Sequence, residues 1–201
     1  MTVMDVGANV GLLTRQFCRQ VGPSGRVYAF EPDPLTFQFL EFNTRSYQNK
    51  ELTQSAISDN QEPAVLHLNL TSGAGNSLIN QGHSTESVPV ACISLDEFLK
   101  QHGNPVVDVI KIDVEGAELS VLRGMRQTVT RLTGLKVIIE YCPVNLKVGG
   151  IEPRAIFDEL RSQQFKLQVI RADGGVKEID KFDELEGNLN PRGYLNLVCA
   201  R

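Results

Sequence analysis

Short apolar runs rich in Val and Ile alternate along the chain with segments whose apolar residues recur at helical spacing. This alternation is the pattern of a mostly parallel sheet covered by helices on both faces. Residues 2–6 read as a first strand, 12–20 as a helix, 27–31 as a second strand, and 35–47 as a helix whose Phe37, Leu40 and Phe42 supply apolar faces. Residues 52–57 are the expected third strand, and 64–70 alternate as a half-exposed strand. Residues 71–87 are rich in Gly, Ser, Asn and Thr without periodicity, and 17 residues exceed an ordinary connection, so a functional loop or lid is predicted there. Residues 88–93 read as a strand, and Ser94 with Glu97 as a capping box opening a helix to Gln101.

Residues 106–114 are the expected fourth main strand, followed by a helix through Leu119, Leu122 and Met125. Residues 135–141 are the fifth, with Val137, Ile138 and Ile139 consecutive, as suits a strand buried on both faces. A helix over 153–163 and strands over 165–170 and 194–199 close the sheet, and 143–153 reads as loop. With no internal repeat or linker, residues 1–201 form one domain.

Composition narrows the function. The chain is 41% hydrophobic and 22% charged, with a formal net charge of -4 and no block of Lys and Arg. That balance disfavours nucleic acid and anionic membrane surfaces as partners. No apolar run approaches the ~20 residues of a membrane span, and Asp5 interrupts the stretch a secretory signal would need, so a cytoplasmic protein is expected. Cys18, Cys92, Cys142 and Cys199 lack close pairing and read as free thiols, and His67, His83 and His102 form no ligand cluster.

The sharpest local signal is Asp5-Val6-Gly7-Ala8-Asn9-Val10-Gly11 at the junction of the first strand and first helix. Glycines there allow a tight turn and close ligand approach beside unpaired helix N–H groups. Residues 7–12 read GANVGL, so the second and third glycines of a dinucleotide fingerprint are absent and pyrophosphate binding is disfavoured. Glu31 ends the second strand twenty residues beyond Gly11, where a carboxylate can accept both hydroxyls of an adenosine ribose. Acidic groups with no cation inside the loop suit an adenosine carrying a cationic amino-acid tail, S-adenosylmethionine.

Three blocks, VMDVGANVGLLT (3–14), VYAFEPDPLTFQFLEFN (27–43) and DVIKIDVEGAELSVLRG (108–124), resemble the FkbM family of S-adenosylmethionine-dependent methyltransferases over nearly the whole chain. SAISD (55–59), SLDEF (94–98) and VIIEY (137–141) follow in the family's order. The resemblance implies a Rossmann-like, doubly wound α/β fold whose seven-stranded sheet has one antiparallel strand, and transfer of a methyl group to a hydroxyl. By the same likeness Asp5, Gly7, Asn9 and Gly11 line the methionine end, Glu31 holds the ribose, and Ser55, Ala56 and Ser58 border the adenine.

At the reactive end, Asp113 closes the fourth strand where ligands bind in doubly wound sheets, on the same side as Lys111, which can pair with it or orient the acceptor oxygen. Asp113 serves both cofactor and acceptor, and Glu115 and Glu118 are either ligand contacts or helix caps. Glu140 and Tyr141 end the fifth strand, and His83 is a weaker candidate base. Carboxylates at Asp113 and Glu140 also suit a divalent cation gripping the acceptor oxygens.

The expected enzyme is thus an O-methyltransferase acting on a sugar, glycolipid or secondary metabolite. Alternatives are a cofactor-binding module without turnover and, third, a nicotinamide oxidoreductase. Because the first strand begins at residue 2, the chain is expected to be truncated, or its cleft to be open or closed by the 71–87 loop or by a second copy in a homodimer.

Overall fold

The computed structural model describes residues 1–69, 75–80, 86–171 and 173–201. In chain order its strands are β1 (Thr2–Val6), β2 (Arg26–Phe30), β3 (Lys50–Thr53), β4 (Ala56–Ile57), β5 (Ala64–Leu68), β6 (Glu86–Val90), β7 (Cys92–Ile93), β8 (Val109–Ile112), β9 (Lys136–Tyr141), β10 (Lys166–Ile170), β11 (Val176–Ile179) and β12 (Leu195–Ala200). The helices are α1 (Leu12–Val21), α2 (Pro34–Thr44), α3 (Leu95–Gln101), α4 (Glu118–Arg123), α5 (Arg126–Arg131), α6 (Pro143–Val148), α7 (Arg154–Ser162) and α8 (Phe182–Glu186).

Eight strands form the main sheet in the order β11-β10-β12-β9-β8-β1-β2-β3. β12 runs antiparallel to β9 and β10, and β11 antiparallel to β10. Among the described residues the main sheet therefore holds one strand more than the seven expected, and a second antiparallel one. The extra strand, VKEI, exposes its first three residues, so its sequence carries no apolar run to reveal it. It folds back on β10 after Asp173-Gly174-Gly175, where Gly174 takes φ 81° and Arg171 N–H bonds Gly175 O at 2.8 Å.

Sheet parity sorts the side chains between two layers. Met4, Val6, Phe30, Ile110, Ile112, Val137 and Ile139 pack in one core with Leu95, Phe98 and Leu99 of α3, Leu122 of α4 and Leu160 of α7. On the opposite face Val3 and Val27 meet Cys18 of α1, and Ala29 meets Leu40 of α2. Asp33 caps α2, accepting from Thr36 N–H at 3.0 Å, and Ser94 caps α3, accepting from Glu97 N–H at 3.2 Å.

Four local expectations change. The predicted strand over 52–57 divides: β3 joins the main sheet, whereas β4 turns away to pair with β7. Ser55 makes the break, its hydroxyl bonding Ala91 O at 2.9 Å. The strand over 88–93 likewise divides at Ala91 into β6 and β7. Residues 86–87 of the expected loop lie in β6, and Ser77 forms an antiparallel bridge with His67. Finally, 143–153 is not all loop, because Pro143 starts α6, as proline can at a first helical position. All four cysteines are free, and no described helix is long and apolar enough to cross a membrane.

Candidate active site

The chain leaves β1 beside the backbone of β8 and must turn at once. Gly7 has φ 76°, and a Cβ there would stand 1.9 Å from the Asp113 carbonyl oxygen, so the approach of the two strands' ends demands glycine. Gly7 and Ala8 N–H donate to Phe30 O at 3.1 and 2.9 Å. Asn9 follows with φ 50°, tolerable because its own Oδ1 accepts from Val10 N–H at 2.7 Å. Asn43 of α2 holds the far side of the loop, donating from Nδ2 to Val10 O at 2.8 Å.

Beneath this loop lies a buried ion pair. β1 and β8 align Asp5 with Lys111, and Lys111 Nζ sits 3.3 Å from Asp5 Oδ1 and 3.6 Å from Asp113 Oδ2. The ammonium also donates to Gly7 O at 2.7 Å. Asp5 is fully buried and accepts from Thr14 Oγ1 of α1 at 2.6 Å. Burial pushes its carboxyl up from the ordinary aspartate range, and Lys111 opposes that rise. Lysine is thus the counter-ion that keeps a carboxylate at the sheet's centre while it holds the loop's carbonyl.

In front of the loop opens a cleft with about 720 Å³ of empty space, its mouth included. Glu31 stands on one wall, its Oε2 accepting from Asn9 N–H at 2.9 Å and its Oε1 from Asp33 N–H at 3.0 Å. Burial lifts this carboxyl to about 7, against those two N–H groups. Each oxygen keeps a second lone pair for a ligand hydroxyl. Phe30, Ile57, Leu66 and Leu78 make an apolar slot beyond it, edged by Ser55 and Ala56.

The opposite end carries acid groups. Asp113 lines the cleft directly after β8 with 36% of its side chain exposed. Glu115 also lines it, in a left-handed conformation with φ 54°. Its Oε2 accepts from Asn145 Nδ2 of α6 at 2.8 Å, and its carbonyl accepts from Ser77 Oγ at 2.7 Å. Burial and Asp113 raise the Glu115 carboxyl, Asn145 opposing. Glu118 instead turns back on the preceding turn, accepting from Gly116 N–H at 3.0 Å, and burial pushes it to about 7. Glu140 is likewise lifted to about 7 by burial, then by Asp113, Glu115 and Glu118.

Of the residues expected from sequence, Gly7, Asn9, Glu31, Ser55, Ala56, Asp113 and Glu115 come together in the cleft. Asp5, Gly11, Ser58 and Lys111 do not line it. Asp5 and Lys111 lie under the loop, and Gly11 has φ 84° against Leu40, whose Cδ1 would meet a Cβ at 2.7 Å. Ser58 presents its carbonyl to Gly124, leaving no room for a Cβ there. His83 falls outside the described residues.

Three residues escaped the sequence reading: Asn76, Ser77 and Asn145. The segment around Ser77 lines the cleft together with Gly75 and Leu78, and Asn76 Nδ2 reaches Asp33 Oδ2 at 3.3 Å. Part of the expected lid therefore does border the cleft. Their only advance signal is position, in the expected 71–87 loop or lid and in the 143–153 segment that reads as loop. Among the described residues, no three His, Cys, Asp or Glu side chains are arranged to hold a metal ion.

A cleft with a glycine turn, a buried carboxylate and an apolar slot fits an adenosine with an amino-acid tail. The methyltransferase FkbM domain profile matches residues 5–167. The chain is 28% identical over 188 residues to 2-O-methyltransferase NoeI of Sinorhizobium fredii, covering 86% of this chain and 76% of that one. It is 28% identical over 173 residues to hexuronic acid methyltransferase AglP of Haloferax volcanii, covering 83% and 64%. Among solved structures, the SAM-dependent O-methyltransferase of Thermotoga maritima superposes with a TM-score of 0.53 at 13% identity, covering 99% of this chain and 58% of that one, a likeness of fold.

Proposed function

The chain belongs to the FkbM methyltransferase family, and from that premise we propose that it transfers a methyl group from S-adenosylmethionine to a hydroxyl of a sugar, glycolipid or secondary metabolite. The observation that carries this reading is Glu31: a buried carboxylate anchored by two N–H groups of the loop and of α2's approach, with lone pairs left for a ribose. When bound, S-adenosylmethionine supplies a methyl on a sulfonium sulfur, transferred in line to the acceptor oxygen. The chain's contribution is mostly placement, which accounts for up to ~7 to 11 kcal/mol of barrier reduction at its ideal limit.

In this reading Glu31 holds the ribose hydroxyls, and Phe30, Ile57, Leu66 and Leu78 enclose the adenine beside Ser55 and Ala56. Backbone at Gly7 and Asn9 and the side chain of Asp113 face the methionine tail. Lys111 acts from below, fixing the Gly7 carbonyl and the Asp113 carboxylate in one frame. The acceptor binds toward Asp113 and Glu115. The names of the two relatives, a 2-O-methyltransferase and a hexuronic acid methyltransferase, support a carbohydrate-like acceptor.

Isothermal titration with S-adenosylmethionine and S-adenosylhomocysteine tests the cofactor, with saturable one-to-one binding expected. Absence of heat from both overturns the reading. Incubation with radiolabelled donor and a panel of methyl glycosides then tests transfer, and tight cofactor binding without label in any acceptor would favour the module without turnover.

A further inference from the structure

Glu115 is gripped from two sides in a left-handed backbone conformation that is costly for a non-glycine residue. Its φ of 54° is one of four positive values among described non-glycine residues, and it alone of these four besides Asn9 lines the cleft. Strain of this kind persists only where neighbours over-determine it. Here the neighbours are identifiable. Ser77, 2% exposed, donates to the Glu115 carbonyl and accepts from Ile79 N–H at 3.0 Å. Asn145 donates to the carboxylate from the first turn of α6.

The two grips are themselves interlocked. Gly116 turns with φ 103°, and a Cβ there would stand 3.0 Å from Asn145 O and 3.2 Å from Ile79 Cδ1. Ile79 also fills the space above Gly149, where a Cβ would meet its Cδ1 at 2.4 Å. The strap around Ser77 and the helix carrying Asn145 thus close on the 115–116 turn from opposite sides.

We propose that Glu115 receives the proton of the acceptor hydroxyl, and that Asn145 and Ser77 are positioning residues that hold its carboxylate toward the cleft. This rests on the methyltransferase reading. The acceptor O–H bond breaks, its proton passes to Glu115, the oxygen lone pair forms the new C–O bond, and the electrons of the broken C–S bond remain on sulfur. Asp113, beside Lys111, faces the same end of the cleft, and Glu140 lies near enough for their charges to act on one another.

The test reads Glu115 directly. Side-chain carboxyl carbons of ¹³C-glutamate-labelled protein are followed through a pH titration, with Glu115→Gln identifying the resonance. Glu115 is expected to titrate above the ordinary glutamate range, and still higher in Asn145→Ala, which removes a donor to its charged form. In turnover with an acceptor from the methyl glycoside panel, Glu115→Gln is expected to lower kcat by ~10² to 10⁴, the span of general-base catalysis. Asn145→Ala is expected to lower kcat about tenfold near neutrality and to move the acid limb of the profile to higher pH, with the S-adenosylmethionine Kd unchanged.

A Glu115→Gln protein that retains full turnover overturns the proposal. A folding defect in Asn145→Ala is separated by Asn145→Asp, which keeps the shape, adds a negative charge and is expected to raise the Glu115 titration further. If wild-type protein fails to bind S-adenosylmethionine at all, the methyltransferase reading falls, whereas loss of the titration shift with cofactor binding intact removes only the role given to Asn145.

Discussion

Replacing Lys111 by Met tests the central ion pair, because methionine keeps most of the side-chain length and removes the charge. In the wild-type protein the ammonium lies 3.3 Å from a fully buried Asp5 carboxylate. At an effective dielectric of ~20 that separation corresponds to about 5 kcal/mol of attraction. Mutational experience with one-sided removal of buried pairs is ~3 to 5 kcal/mol. Against a total stability of ~5 to 15 kcal/mol, Lys111→Met should be severely destabilised in urea unfolding followed by circular dichroism. Asp5→Asn/Lys111→Met removes the orphaned charge and should recover most of the loss.

The pH dependence has a definite sign. Burial already raises the Asp5 carboxyl above its unfolded value, and loss of Lys111 raises it further. The folded variant then holds a proton that the unfolded chain releases, so stability improves as pH falls and declines as pH rises through the interval between the two values. The double variant should lack this dependence. It should still bind S-adenosylmethionine weakly, since the 2.7 Å bond from Lys111 to Gly7 O remains absent. Destabilisation under ~1 kcal/mol, or no recovery in the double variant, would refute the account.

Gly7→Ala should abolish detectable cofactor binding by calorimetry, because its Cβ would stand 1.9 Å from Asp113 O and φ is positive. The Glu31 carboxyl, lifted to about 7, accepts ribose hydroxyls best when ionised, so cofactor affinity should rise from pH 6 to 8 in titrations. Glu31→Gln should bind at least tenfold more weakly and show little such rise. Gly149→Ala places a Cβ 2.4 Å from Ile79 Cδ1 and should displace the strap; stopped-flow release of S-adenosylhomocysteine should be several-fold faster, with cofactor still bound.

Much of the fold was legible in local pattern. Runs such as VMDV and VIIEY are apolar on both faces because their strands are covered twice, and that signal survives without any contact information. Strand β11 was not, because an edge strand with exposed charges has no such constraint. The break at Ser55 was equally hidden, for it depends on a hydroxyl bonding to Ala91, thirty-six positions later. The candidate site divides the same way. Gly7 and Glu31 announced themselves through spacing and Asn9 through the family resemblance, whereas Asn145 and Ser77 gain their meaning only from Glu115.

Lys111 makes the distinction sharpest. Alternation put it on the same side of its strand as Asp113, and a 3.6 Å separation agrees. Its burial beneath the loop, beside Asp5 and bonded to the Gly7 carbonyl, depends on the register between two strands more than a hundred residues apart. Local sequence determined most of the elements, the glycine turn and the carboxylate that follows β2, because each is specified by side-chain periodicity and short-range backbone geometry. Tertiary structure alone decided which of the acidic and basic groups face the cleft and which support it from beneath, because desolvation and ion pairing are properties of the assembled neighbourhood.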